Sequence, residues 1–295
     1  MANSRLIKRR IKSAQNIAKI TKAMEMVSAS KMRRAQEQAQ ASQPYAHKLL
    51  EILQTIATST DPKLHPLLED HPNGQPVLII VSTDRGLLGP LNTNLFKACL
   101  EFEKKHAEFT TIVLGRKAQE FAVRMGWNIT ASFLELPEKI GFNDIVPLAQ
   151  MVRDGFLGKE FSSVHVLHME FINTLTQESK VTELLPLRQS DFALATREAE
   201  SISEESEEGT SSEYIFEPGA KEILDWLLPY YVEVEIYQIL LDARASEHSA
   251  RMIAMQNASK NAGEVVESLK LEYNKTRQAA ITQELIEITT TKENS

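Results

Sequence analysis

Residues 3–58 carry a long helical pattern, and its length limits what the chain can fold into. No glycine precedes Gly74, and the first proline, Pro44, is expected either to kink the helix or to break it. Apolar or small side chains recur every three or four residues, at Ile7, Ile11, Ala14, Ile17, Ile20, Met24 and Val27. This spacing predicts one stripe that packs on a partner helix. At about 1.5 Å per residue the helix would be roughly 84 Å long, so it must project from any small domain.

A second long helix is predicted over residues 220–288. Residues 230–288 contain no proline and one glycine, Gly263, whereas Pro229 suits a helix start better than an interior. Residues 243–262 are rich in Ala and Ser, whose small side chains let two helices approach closely. Since isolated helices are marginally stable in water, two helices of matched length are expected to bury their stripes on each other as a coiled coil.

The middle of the chain alternates between strand and helix patterns. Strands are predicted at 77–82, 110–115, 127–133, 163–172 and 180–187. Helices are predicted between the early strands, at 92–105, 116–125 and 145–157. Such alternation predicts a Rossmann-like α/β domain with a largely parallel sheet. The last two strands lie close together in sequence and are expected to form an antiparallel hairpin at one edge.

Composition divides the chain further. Residues 59–76 contain four prolines and a glycine, and predict a connector. Residues 198–213 contain seven Glu, five Ser and no Lys or Arg, which predicts a flexible acidic loop. The predicted organisation is therefore a helix, a connector, an α/β domain, an acidic loop and a second helix, at 1–58, 59–76, 77–190, 191–219 and 220–295.

Charge is distributed unevenly between the N-terminal arm and the rest of the chain. Residues 1–34 carry ten Lys or Arg against one acid, Glu25, although the whole chain has a formal net charge of -7. A basic arm indicates an acidic partner: nucleic acid, a lipid surface or an acidic protein collar. The arm also has the basic, amphipathic character of a mitochondrial presequence, but its helical pattern continues well beyond one. A basic coiled coil that binds nucleic acid remains an alternative, although residues 1–44 lack the aromatics of a stacking reader.

The sequence contains no strong motif for catalysis, nucleotide binding or metal binding. The turn STDRGLLGPLN, at 82–92, follows a strand and precedes a helix, a context that can cradle phosphate. Its Gly86-x-x-Gly89 spacing matches neither nucleotide-binding glycine motif, so a tight structural turn is favoured. The seven histidines show no metal-ligand spacing, and the single cysteine, Cys99, is expected to be a small buried hydrophobe.

Four segments resemble the gamma subunit of F-type ATP synthases. ITKAMEMVSASKM, at 20–32, is similar to that family's amino-terminal signature. ASEHSARMIAMQNASKNA at 245–262 and YNKTRQAAITQELIEI at 273–288 are similar to its carboxy-terminal signature. The turn at 82–92 resembles a family turn as well. The likeness covers essentially the whole chain, in the same order.

The resemblance implies a rotor. The terminal helices would wind as an antiparallel coiled coil inside a ring of three alpha and three beta subunits. The α/β domain would bind the epsilon subunit and the membrane c-ring, with the delta subunit as a further partner and no nucleic acid bound. Proton flow would turn the c-ring and shaft, so that each beta subunit changes conformation in turn and makes ATP. The chain itself would hold no catalytic site, cofactor or metal.

Four residues at matching motif positions are expected to contact the ring. Arg277 and Gln278 would bind the beta-subunit catch loop through charge-assisted hydrogen bonds. Lys22 and Met24 would face the acidic beta-subunit loop that carries torque. The spacing of Met24 in the helical stripe equally allows a plain coiled-coil core position.

Two further residues are expected to support the shaft. Thr282 and Glu284 would support the carboxy-terminal packing near Met24. The resemblance also implies a peripheral membrane protein on the cytoplasmic face of a bacterial inner membrane. The longest purely apolar run, 77–81, is too short for a spanning helix, which needs roughly 20 residues.

Overall fold

A computed structural model describes residues 2–59, 65–188 and 219–293. The acidic loop predicted at 198–213 lies outside the described residues. The helices and strands of the described residues follow the chain as α1 (Ala2–Ser59), β1 (Gln75–Val81), α2 (Leu91–Lys105), β2 (Thr110–Leu114), α3 (Arg116–Met125), β3 (Ile129–Phe133), α4 (Phe142–Leu157), β4 (Phe161–Phe171), β5 (Gln177–Leu185) and α5 (Ala220–Glu293). Each predicted strand matches an observed one to within three residues at either end.

The two terminal helices are longer than the rest of the secondary structure, as predicted. Helix α1 has 58 residues and continues through Pro44 without ending. Helix α5 has 74 residues and begins nine residues before Pro229, so the prediction that Pro229 suits a helix start is wrong. Leu227 and Leu228, on the N-terminal side of this proline, and Val232, on its C-terminal side, are buried in the core. Tertiary packing on both sides of the proline therefore offsets the hydrogen bond that proline removes.

The sheet has five strands in the order β3-β2-β1-β4-β5. Strands β1 to β4 pair in parallel, whereas β5 pairs antiparallel with β4 at the edge, which confirms the predicted hairpin. The crossovers through α2 and α3 lead to one side of β1, and the crossover through α4 leads to the other. The order of the strands therefore reverses between β1 and β4.

Both faces of the sheet are covered, and β1 supplies both cores. Val77 and Ile79 face a core that also contains the end of α1, helix α4 and the first part of α5. Leu78 and Ile80 face a second core built with α2 and α3. Burial on two faces explains the continuous apolar run that marks this strand in the sequence. We call the sheet with helices α2 to α4 the foot.

The long helices are anchored in the foot rather than merely attached to it. Leu53 and Ile56 of α1 are fully buried in the first core, together with Leu228 and Val232 of α5. Beyond the foot the two helices continue as a pair, which we call the axle. The structure thus combines terminal long helices with a central, mainly parallel α/β sheet, as the sequence predicts.

Candidate partner-binding surface of the axle

The helices of the axle run antiparallel. Near the foot, the Gln238 Nε2 atom of α5 donates a hydrogen bond to the Ser42 Oγ atom of α1 at 2.8 Å. Further out, the Ser259 Oγ atom donates to the carbonyl oxygen of Ala18 at 3.4 Å. The residue number falls along α1 while it rises along α5, so the chain returns beside itself in the opposite direction.

The seam between the two helices differs from the predicted stripe. Buried or half-buried side chains on α1 recur in steps of four and three, at Ile7, Ile11, Ala14, Ala18, Thr21, Glu25 and Ser28. These steps are the heptad spacing of a coiled coil. Ile17, Ile20 and Val27, which were predicted to face the partner helix, are 51%, 59% and 55% exposed. The prediction holds for Ile7, Ile11 and Ala14, which are buried or half-buried. It fails at the three exposed positions because Ala18, Thr21 and Ser28 occupy the seam there.

Both helices of the axle therefore present large apolar side chains to their surroundings. On α1, those with exposed fractions between 49% and 65% include Leu6, Ile17, Ile20, Met26 and Val27. On α5, those with exposed fractions between 47% and 65% include Val265, Leu271 and Ile281. Contiguous exposed apolar groups mark surfaces that bind other proteins. The axle thus has the character of a shaft that another protein surrounds.

The predicted contact residues near the middle of the axle lie at its surface. Lys22 is exposed, and its Nζ atom forms an ion pair with the Glu25 Oε1 atom at 2.9 Å. Met24 is half-buried, so it belongs neither to a dry core nor to a fully open surface. Its side chain lines a groove between the axle and the turn that follows β1. Both residues are accessible from outside the chain.

The predicted contact residues near the end of α5 form a separate group. Arg277, Gln278 and Thr282 are exposed, and the Thr282 hydroxyl donates to the carbonyl oxygen of Gln278 at 3.0 Å. Glu284 lies one further half-turn along the same helix. These positions lie far along α5 from the foot. Lys22 and Met24 lie nearer the foot, on the side of the turn that follows β1.

The prediction that Thr282 packs near Met24 is wrong, whereas the side chain of Glu284, for which the same was predicted, lies outside the described residues. The hydrogen bond between Ala18 and Ser259 sets the register of the pair, and places Met24 opposite α5 about six residues nearer the foot than Ser259. Thr282 is roughly 40 Å further along the axle, at about 1.5 Å per residue. Similar motifs at both ends of a chain do not define the register of an antiparallel pair, which depends on packing.

The groove beside Met24 has a volume of about 820 Å³. Met24 and Val27 of α1 line one wall, while Arg85 and Leu87 of the turn after β1 line another. Leu87 is 66% exposed and has a positive φ of 66°. The groove is therefore open and of mixed character, with apolar side chains beside several charged groups.

A buried ionic triad, which the sequence reasoning missed, closes the inner side of this groove. Glu247 of α5 is 6% exposed. Its carboxylate accepts a hydrogen bond from the Arg244 Nη1 atom at 2.7 Å and another from the Arg251 Nη2 atom at 2.8 Å. The Arg244 Nη2 atom also donates to the carbonyl oxygen of Leu136 at 3.1 Å. The signal was the spacing of three and four residues, which places these side chains on one helix face.

Burial and the charges of the triad set the protonation states of Glu247 and of the neighbouring His248. Burial raises the pKa of Glu247, but the two arginines more than offset this effect and leave the pKa below its ordinary value. Burial also lowers the pKa of the neighbouring His248 to about 4, and the arginines act in the same direction. Near neutral pH the triad therefore holds one negative and two positive charges beside a neutral imidazole.

The turn after β1 uses its polar groups internally. The Asp84 Oδ1 atom accepts from the backbone N–H of Arg116 at 3.0 Å, at the start of α3. Asn92 donates to the Thr83 hydroxyl at 2.9 Å, and that hydroxyl donates to the carbonyl oxygen of Arg85 at 2.9 Å. Gly89 has a positive φ of 58°, as expected where a turn needs a glycine. These contacts support the interpretation as a structural turn.

Helix α5 occupies the place where open α/β sheets bind ligands. Such ligands lie outside the carboxyl ends of the strands where the strand order reverses, here between β1 and β4. Leu240, Arg244 and Glu247 of α5 cover this position, and the remaining cavity is about 20 Å³. Small-molecule sites are about 300–1,000 Å³. The crevice is filled by the chain's own helix.

The described parts of the chain lack two further kinds of site or segment. Among those residues, no group of three or more His, Cys, Asp or Glu side chains is arranged to hold a metal ion. Within the same residues, no helix has both the length and the apolar character that crossing a bilayer requires.

Known proteins share both the sequence and this architecture. The family described as ATP synthase matches residues 3–293. The ATP synthase gamma chain of Legionella pneumophila (strain Corby) is 40% identical over 292 residues, which cover 98% of each chain. That of Geotalea uraniireducens (strain Rf4) is 41% identical over 292 residues, 98% of this chain and 97% of the relative.

Solved structures show the same fold. A chain of the Euglena gracilis mitochondrial ATP synthase, from its OSCP/F1/c-ring structure in rotational state 3, superposes with a TM-score of 0.68. It is 20% identical and covers 98% of this chain and 93% of its own length. A chain of the Tetrahymena thermophila central stalk and c-ring superposes with a TM-score of 0.58 at 23% identity, and covers 81% and 99%.

The fold and its surface define a class of protein in which a long two-helix axle rises from an α/β foot and presents apolar groups to a surrounding partner. Sequence identity over nearly the full length of both chains makes the assignment more specific. This chain belongs to the ATP synthase gamma-chain family. Membership favours the rotor interpretation over the nucleic-acid alternative raised by the basic arm.

Proposed function

We propose that this chain is the central rotary shaft of an F-type ATP synthase. Its axle turns inside a ring of three alpha and three beta subunits, and its foot meets the membrane c-ring together with the epsilon and delta subunits. Rotation of the c-ring turns the shaft, and the shaft drives each beta subunit through its conformational cycle. The chain contributes no catalytic site or cofactor of its own.

The exposed apolar rows of the axle are the observation that carries this proposal. Ile17, Ile20 and Val27 are more than half exposed although they lie beside a coiled-coil seam. A shaft that only had to hold itself together would bury such groups, because burial of apolar surface is the main stabilising term of folding. A ring of subunits that encloses the axle covers these side chains without fixing the shaft at one rotational angle.

The charges of the axle suit a surface that must bind and release repeatedly. Lys22 is paired with Glu25, and the exposed Arg33 is paired with Glu37 at 3.1 Å on the same helix. Exposed ion pairs are worth about 0–1 kcal/mol and are screened by salt. Attraction between these cations and acidic loops of a collar is therefore weak enough to exchange as the shaft turns.

Arg277 and Gln278 are proposed to contact the collar near the end of α5. Lys22 and Met24 are proposed to contact it nearer the foot. Replacing Arg277 with Ala should slow ATP hydrolysis by the assembled complex while the chain remains folded. Lys275→Ala is the matched control, since it removes one positive charge from the same exposed turn but from another face. Equal hydrolysis rates for Arg277→Ala and wild type would contradict the assigned contact.

Thr282 and Glu284 are proposed to line the same end of the shaft as Arg277, away from Met24. The chain is proposed to act on the cytoplasmic face of a bacterial inner membrane, held there by its partners. We also propose that the axle and foot are delimited as the sequence indicates, with helical parts at 1–58 and 220–295 and the α/β part at 77–190.

Co-expression with alpha and beta subunits tests the function directly. We expect one copy of the chain to enter a stable complex with three alpha and three beta subunits, and ATP to drive its rotation. A purified complex that excludes the chain, or a chain that binds DNA at physiological salt in preference to the ring, would overturn the proposal.

A further inference from the structure

Two segments of the foot reach the axle from different directions. The first, which we call the first arm, comprises residues 134–141 between β3 and α4. The Leu136 carbonyl oxygen accepts a hydrogen bond from the Arg244 Nη2 atom of α5 at 3.1 Å. The Ile140 carbonyl oxygen accepts one from the Gln38 Nε2 atom of α1 at 2.7 Å. This arm therefore holds both helices of the axle.

Gln38 also connects the two helices to each other at this level. Its Nε2 atom lies 2.7 Å from the Tyr237 hydroxyl of α5, to which it donates a second hydrogen bond. That hydroxyl lies 3.4 Å from the Ile140 carbonyl oxygen. One amide therefore joins α1, α5 and the first arm. Ile140 is 1% exposed, so the arm itself is anchored in the core of the foot.

The second arm is the tip of the β4–β5 hairpin, residues 171–176. The Ser249 Oγ atom of α5 donates to the carbonyl oxygen of Thr174 at 2.7 Å. The Asp242 Oδ2 atom of α5 accepts from the backbone N–H of Phe171 at 3.2 Å. The Asn173 side-chain oxygen accepts two backbone hydrogen bonds within the tip, both at 2.9 Å, which makes the arm stiff.

The two arms hold α5 from nearly opposite sides. An α-helix advances by about 100° per residue, so Asp242 and Ser249 point within roughly 20° of each other. On the same count Arg244 points about 140–160° away from both. All three residues lie within about 10 Å along the helix axis. Rotation of α5 about its own axis relative to the foot must therefore distort hydrogen bonds on both sides at once.

We propose that the two arms form a torsional clamp that transmits torque between foot and axle. Apolar burial holds α5 onto the sheet, but it is non-directional. Hydrogen bonds weaken steeply when their angles are distorted, so they resist twisting at this position. This inference rests on the rotor function proposed above, and it assigns Gln38 and Ser249 as positioning residues that act through the arms.

Paired variants can remove one tie from each arm with little change in volume. Gln38→Met removes one of the donors to the first arm, and Ser249→Ala removes the hydroxyl that binds the second arm. The matched control combines Gln40→Met with Ser30→Ala, the same chemical changes at exposed positions of α1. The ion pairs of the triad are left intact in every variant.

The readout is the torsional stiffness of the shaft in the assembled complex. A bead is attached to the foot through Val123→Cys, which is 66% exposed, while the ring holds the axle during a nucleotide-waiting pause. Cys99 does not compete for the bead, because it is buried and burial raises its pKa to about 12. The angular variance of the bead measures the compliance between foot and ring.

We expect the double variant to raise the angular variance on the order of twofold, since the ties contribute similar net free energies and act in parallel. Each single variant should give a smaller increase, and the control none. An unchanged variance in the double variant, or in both single variants if the double variant fails to assemble, would overturn the clamp. Failure of the wild-type bead to rotate with ATP would instead overturn the proposed function.

Discussion

Removing the carboxylate of Glu247 is the most direct test of how the axle is held together at the groove. Glu247→Gln preserves the shape of the side chain and one acceptor oxygen, but leaves Arg244 and Arg251 without their shared anion. Their side chains are only 16% and 13% exposed, so water cannot fully replace the lost partner. The local charge rises from about one positive charge to two.

The loss of folding stability expected for Glu247→Gln follows from this burial. Breaking a buried ion pair by removing one partner costs about 3–5 kcal/mol. Because both arginines keep some access to water and one still has an amide acceptor, we expect a loss near the lower limit, about 3 kcal/mol. This loss is a change of roughly 100-fold in the folding equilibrium, at about 1.4 kcal/mol for each factor of ten.

The effect has a definite pH dependence. The pKa of Glu247 in the folded chain lies below its ordinary value of 4.5, so the ionised group stabilises the fold. That stabilisation is complete above pH 4.5 and is lost as the pH falls through the lowered pKa. The difference between wild type and Glu247→Gln should therefore be constant from pH 7 to pH 5 and shrink below that range.

Urea unfolding of the purified chain, followed by circular dichroism, measures these differences. Glu37→Gln, which breaks the exposed Arg33–Glu37 pair, is the control and should change stability by less than about 1 kcal/mol. Replacing the triad Arg244, Glu247 and Arg251 together by Met, Leu and Met should be far milder than Glu247→Gln alone. A loss below about 1 kcal/mol for Glu247→Gln would refute the reasoning, because such values are typical of exposed pairs.

Two further substitutions test the junction between foot and axle by the same assay. Burial raises the pKa of Asp242 to about 6, so its ionised form destabilises the fold, and the contribution of this group to stability falls as the pH rises from about 4 to 6. Asp242→Asn keeps an acceptor for the Phe171 N–H and should be more stable than wild type at pH 7.5 by about 1–2 kcal/mol; lower stability there would contradict the assigned cause. Leu53→Ala should lose about 2–5 kcal/mol, because Leu53 is fully buried where α1 enters the foot. Leu6→Ala, at a half-exposed site on the axle, is its control, and equal losses for the two would show that α1 is not anchored at Leu53.

Much of the architecture was predictable from local patterns. The apolar run at β1 indicated a strand buried on both faces, and the structure places Val77 and Leu78 in opposite cores. The close spacing of the last two strands indicated the hairpin at the edge of the sheet. Each of these signals depends on neighbouring residues, so it can be read without knowing what the chain folds against.

The surface of the axle was less predictable. Counting apolar residues placed Ile17, Ile20 and Val27 in the seam, but the structure places the half-buried Ala18 and the buried Ser28 there instead. Hydrophobicity alone cannot distinguish a seam made close by small side chains from a surface covered by another protein. The same limit put Thr282 near Met24, because sequence motifs carry no information on the register of two distant helices.

The sequence by itself determined that the chain has two long helices and an α/β segment between them, because helix length, strand alternation and turn residues are local properties. Only the tertiary structure decided which helix faces meet, which charged groups are buried and where the foot grips the axle. These features depend on contacts between residues 70 to 240 positions apart, whose pairing is set by the packing of the whole molecule.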